Sequence, residues 1–181
     1  MFLAFIAVIV LLGFFLIAMY NSLVQLRVRC DSAGSDIDVQ LKPRHDLSPN
    51  LVETVKGYAT HEKSTFEDIA KFRSMAMQAT GPADKAAAEN QLTGALKSLF
   101  AVAENYPQLQ ASQEFTQLQN SLNQTEDSIQ NARRYYNAVV RDLNTKIQSF
   151  PTNMLAGMFG FQQKQFFETA AADREPVAVK F

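Results

Sequence analysis

Phe115, Leu118, Leu122, Thr125, Ile129, Ala132, Tyr136, Val139, Leu143, Ile147 and Phe150 recur at spacings of three and four residues, with no glycine or proline among the residues between them. Such spacing places one apolar stripe along one face of a helix, as a left-handed coiled-coil seam requires. A stripe of this length cannot be buried by its own helix, so other helices must cover it. Thr125 and Ala132 are the small or polar members of the seam and predict close helix approach there. No stretch of the chain alternates polar and apolar residues long enough to form a strand. The fold class that follows is all-α: a coiled-coil-like bundle of about four long helices.

The other helices are read in the same way. Leu23, Leu26, Cys30, Ala33, Ile37 and Leu41 continue an N-terminal helix of some forty residues, about 60 Å long, which Pro43 should end or kink. His45–Asn50 reads as a connection, with Ser48 and Pro49 as cap and first helical position. A second helix carries Leu51, Val55, Tyr58, Phe66, Ile69, Phe72 and Ala76, and Thr80-Gly81-Pro82 stops it. The third runs from about Ala83 to Asn105 with Leu92, Ala95, Leu99 and Val102. Ser112 caps the last and Pro151 ends it. Met154–Phe161 is apolar but too short to span a membrane; it either caps the bundle or lies at the interface. Residues 169–181 form a polar, alanine-rich tail, expected to be disordered.

Met1–Met19 contains no charged side chain. About twenty apolar residues cross the ~30 Å hydrocarbon core as a helix. A cleaved signal peptide would need a basic leader and a small-x-small cleavage site, and neither is present. Residues 1–20 are therefore expected to be a retained anchor in contact with the lipid bilayer, and residues 21–168 the helical body. Arg27, Arg29, Lys42 and Arg44 all follow the apolar run. The positive-inside rule then places the N-terminus outside and the body in the cytoplasm.

A net charge of −1 with interspersed signs gives no basic face for nucleic acid. The single cysteine, Cys30, allows no internal disulfide. It follows two arginines and has no small-residue cleavage site before it, which argues against a lipoprotein; a small apolar filler is the expected role. His61-Glu62-Lys63-Ser64-Thr65 begins like a zincin motif but has Thr where the second histidine belongs. Gly157-x-x-Gly160 lacks the spacing and the Lys-Ser/Thr end of a phosphate loop. Two histidines leave little for a catalytic triad. Arg133-Arg134-Tyr135-Tyr136 reads as seam and flank. Asp36, Asp38, His45 and Asp46 form a polar cluster that could hold a metal or a small ligand. Ion pairing with Lys42 and Arg44 at a helix end is the plainer reading, since residues two apart do not face the same way on a helix. No catalytic, cofactor-binding or metal-binding residue and no cofactor is assigned.

Tyr20-Asn21-Ser22-Leu23-Val24, Ser35–Lys42, Arg44-His45-Asp46-Leu47, Pro49–Tyr58 and His61-Glu62 resemble the LemA family of bacterial membrane proteins. So do Ala103-Glu104-Asn105-Tyr106-Pro107, Leu118-Gln119, Thr125-Glu126, Arg133–Asn137, Phe150-Pro151, Phe159-Gly160-Phe161 and Phe167-Glu168. The resemblance covers about residues 20 to 168. Gly34, Pro43 and Ser48 depart from the pattern, where the family tends to have an aromatic, a basic and an apolar residue; the corner after the first helix should differ accordingly. The resemblance implies a single-pass protein of the bacterial cytoplasmic membrane with an antiparallel helical bundle and no known enzymatic activity. The function expected from all of this is non-enzymatic: a self-assembling scaffold or interaction platform at the membrane, homo-oligomeric, with an unidentified membrane protein as a further partner. The alternative is a ligand- or metal-binding module built on Asp36, Asp38, His45 and Asp46.

Overall fold

The computed structural model describes residues 1–167. Among them there are six helices and no strand: α1 (Phe2–Lys56), α2 (Lys63–Gln78), α3 (Pro82–Ala103), α4 (Pro107–Gln110), α5 (Gln113–Gln148) and α6 (Thr152–Met158). Four are long, and two are short turns that join or finish them. The tail expected over 169–181 lies outside the described residues.

The N-terminal helix corrects the sequence reading. It does not stop at Pro43, and His45–Asn50 is not a connection; α1 runs unbroken through both Pro43 and Pro49 to Lys56. The physical reason is the stripe itself. Ile37, Leu41, Arg44, Ser48, Leu51 and Val55 are all buried and continue the three-and-four spacing straight across the two prolines. Both prolines lie on the exposed side of the helix. Burial of that face outweighs the lost backbone donors, so the expected corner is absent. The chain turns instead after Lys56, and α2 begins only at Lys63.

The other boundaries follow local chemistry. Gly81, at φ +84°, takes the left-handed conformation that glycine tolerates, and Pro82 opens α3 at its first turn. Ser112 Oγ accepts the Phe115 amide hydrogen at 3.4 Å as α5 starts. Gly160, at φ +69°, follows α6, and the Phe161 amide returns to the Ala156 carbonyl at 2.9 Å. That pattern is a Schellman stop.

The chain divides into two compact units. One comprises Met1–Asp36 and Arg134–Phe166; the other comprises Ile37–Arg133 and, among the described residues, Phe167. In the first, Leu23, Cys30 and Ala33 of α1 and Tyr136, Val139, Val140 and Leu143 of α5 are buried. The extended stretch after α6 is tied to α5: the Asn144 side chain exchanges two 2.9 Å bonds with the Lys164 backbone, and Tyr136 Oη donates to the Gln165 carbonyl. In the second, Leu51, Val55, Ile69, Leu92, Leu99, Leu109 and Leu122 form one apolar cluster, with Phe72, Phe100 and Tyr106 packed at its edge.

The first residues of α1 carry no such cover. The helix has a stretch long and apolar enough to cross a membrane, and that stretch is almost wholly exposed. It is therefore not the core helix of a soluble body, which would be buried.

Candidate functional site

The concentrated chemistry of the second unit centres on two fully buried charges in its core. Arg44 replaces an apolar residue on the buried stripe of α1, and Glu89 does the same on α3, three residues before Leu92. Both side chains are 0% exposed. The Arg44 guanidinium pairs through Nη2 with Glu89 Oε2. Its Nη1 donates to Thr93 Oγ1 and to Glu126 Oε1, each at 2.8 Å. Glu126 stands on α5 between Leu122 and Ile129, in register with that helix's buried face. Thr93 Oγ1 in turn donates to the Glu89 carbonyl. Three helices thus each bring a polar group to one point.

His45 and Arg73 complete the network. His45 Nε2 lies 2.8 Å from Glu89 Oε1. Burial first, then the cations Arg44 and Arg73, push the imidazole below the ordinary histidine value. The neutral ring therefore donates Nε2–H to the carboxylate. Arg73 Nε donates to the His45 carbonyl at 2.6 Å. That carbonyl would normally accept from residue 49, which is proline and has no N–H. Arg73 supplies from outside the helix the donor that Pro49 removes. Ser48, on the same buried stripe, turns its hydroxyl to the Arg44 carbonyl at 2.7 Å. One polar atom stays unsatisfied: Arg44 Nε is buried with no hydrogen-bond partner among the described residues.

In charge the network balances: Arg44 and Arg73 against Glu89 and Glu126, with His45 neutral. Charges removed from water are tolerated only when paired and hydrogen-bonded in this way. The arrangement joins helices. Arg44 and Glu89 are fully enclosed, while Glu126 and His45 keep partial exposure.

The four residues proposed from sequence for a metal or ligand separate. His45 turns inward to Glu89. Asp46 pairs with Lys42 on the exposed face at 2.7 Å, and this contact is what first lowers its carboxyl below the usual range. Asp38 pairs with Lys85. Asp36 is exposed. Among the described residues no group of three or more histidine, cysteine or acidic side chains could hold a metal ion. His61 is exposed. Cys30 is buried, and burial raises its thiol above the ordinary value. The sequence reading missed Glu89, Thr93 and Arg73 altogether and took Arg44 for an ion-pair partner at a helix end. The available signal was register, because each charge falls on the spacing of a buried stripe.

An N-terminal apolar helix exposed along its length, continuing into a helical body keyed by buried charge, defines a class of all-α proteins with a membrane-type leader helix. The LemA family model matches residues 33–181, and the chain belongs to the LemA family. Magnetosome protein MamQ 2 of Paramagnetospirillum magneticum is 27% identical, over 90% of this chain and 69% of its own. Protein LemA of Metamycoplasma hominis is 27% identical, over 96% of this chain and 80% of its own. Magnetosome protein MamQ of Magnetospirillum gryphiswaldense is 26% identical over 90% and 69%. None of these names states an enzymatic activity.

Proposed function

We propose that the chain is a non-catalytic, membrane-anchored scaffold that assembles with copies of itself. One observation carries the reading: the strongest constellation of ionisable groups in the body is largely buried and paired among its own members, and it joins α1, α2, α3 and α5. The α1 helix that supplies Arg44 to that network also carries the apolar leader. In this reading residues 1–20 span the bacterial cytoplasmic membrane with the N-terminus outside, since every nearby cation follows the apolar run. The body then stands in the cytoplasm and presents helical surface to other proteins. The glutamines Gln108, Gln110, Gln113 and Gln117 are exposed and suit polar packing between copies. The relatives named as magnetosome proteins fit a role tied to a cellular structure more readily than one in turnover of a substrate.

The test is crosslinking in native membranes. Gln117→Cys in a Cys30→Ala background should give a covalent dimer under mild oxidation. A chain that stays monomeric at this and neighbouring exposed glutamine positions would contradict the self-assembly.

A further inference from the structure

Within the unit formed by Met1–Asp36 and Arg134–Phe166, one end is marked by the close of the apolar run. Tyr20 sits there, and its ring meets those of Phe159 and Phe161, with centroids 5.0 and 5.7 Å away in edge-on geometry. The segment around α6 therefore lies at the level where α1 would leave the bilayer. It is also conspicuously apolar on its outside: Phe150 is 80% exposed, Met158 79%, Met154 64% and Phe159 56%. A soluble surface rarely gathers large apolar side chains in this way unless something covers them.

Beside it runs a groove of about 350 Å³ between α1 and α5, lined by Ser22, Gln25 and Arg29 on one side and Arg141, Thr145 and Lys146 on the other. Asp142 is the one carboxylate in its wall. None of Arg29, Arg141, Lys146 and Asp142 is held in an ion pair among the described residues. Three cations against one anion leave the groove positive. Ser22 to Arg29 follow Met19 by three to ten residues, about 5 to 15 Å along a helix. The headgroup layer occupies roughly the first 5 to 7 Å beyond the hydrocarbon, and arginine and lysine side chains reach back toward it from the helix.

We propose that this end of the unit is a second membrane contact: Phe150, Met154, Met158 and Phe159 enter the bilayer interface, and Arg29, Arg141 and Lys146 hold the phosphate of an anionic phospholipid in the groove. The apolar patch supplies area and the cations supply selectivity, the pairing that stable interfacial binding requires. The proposal rests on the reading that α1 is embedded in the bilayer.

The chain has no tryptophan, so an introduced one reports alone. Four variants of the full chain, Phe5→Trp, Tyr58→Trp, Met158→Trp and Phe159→Trp, are reconstituted in phosphatidylcholine vesicles containing phosphatidylglycerol, and quenching by acyl-brominated lipid is measured. The Phe5 reporter should be quenched and the Tyr58 reporter should not. The Met158 and Phe159 reporters should be quenched most by bromines near the headgroup. Brominated phosphatidylglycerol should be preferred over brominated phosphatidylcholine about fivefold. Arg29→Gln, Arg141→Gln and Lys146→Gln together should abolish that preference while leaving the helical circular dichroism unchanged. An unquenched Phe5 reporter overturns both the anchor and this proposal. A quenched Phe5 with unquenched Met158 and Phe159 reporters overturns the proposal alone. Equal quenching by the two lipids, or loss of the preference on adding inorganic phosphate, overturns the headgroup assignment.

Discussion

Arg44 is the residue on which the account turns. It is fully buried and holds Glu89, Glu126 and Thr93. Removing one member of a buried ion pair strands the other, so Arg44→Ala and Glu89→Ala should each destabilise the protein by about 3–5 kcal/mol in urea titrations of the detergent-solubilised chain. Arg44→Met with Glu89→Met should recover part of that loss, because neither member of that pair is then stranded, although Glu126 and His45 still lose their partners. His45 adds a pH dependence. Its folded form resists protonation, so below the ordinary value of 6.5 the unfolded chain binds a proton that the folded chain does not. Stability should therefore be full above that value and fall as pH drops through it. His45→Gln, which keeps a donor for Glu89, should flatten the dependence; an unchanged slope would remove His45 from the network. Little of this was legible in the sequence. Arg44, Glu89 and Ser48 sit on helical stripes, but a charge on a stripe reads as the end of the stripe. Only a partner from another helix reveals that it continues inward.

Among the elements, α1 departs most from expectation and α5 least. Proline normally ends a helix because it removes a donor and crowds the preceding turn. In α1 the freed His45 carbonyl receives Arg73 instead, a contact 28 residues away in sequence that no local pattern could indicate. This gives a cycle to measure. Pro49→Ala restores the backbone bond to His45, so Arg73→Ala should cost about 1 kcal/mol less in that background than in the parent chain. Equal costs would show that Arg73 and Pro49 are independent. By contrast, the long stripe of α5 was readable because its apolar residues pack as their spacing requires: Phe115, Leu122, Ile129, Tyr136, Val139 and Leu143 are all buried. Gly81-Pro82 and Ser112 were equally readable, since their roles depend on backbone freedom and a local hydrogen bond. Phe150 closes the periodic run yet is 80% exposed, because the chain has already left α5 by that point.

For the whole molecule, the sequence specified an all-α chain with an exposed apolar leader, and family membership followed from patterns spread along the body. Function was less legible, since the proposed scaffold role has no chemical signature of its own. What supports that proposal is that the charge network is largely buried among the helices it joins. Under it the protein acts through surfaces, and a second copy is the partner its exposed glutamine faces suit. The most direct test is the mass of the intact protein in detergent, measured by light scattering with the detergent contribution subtracted. The account predicts a discrete oligomer. A monomer across a wide concentration range would contradict it.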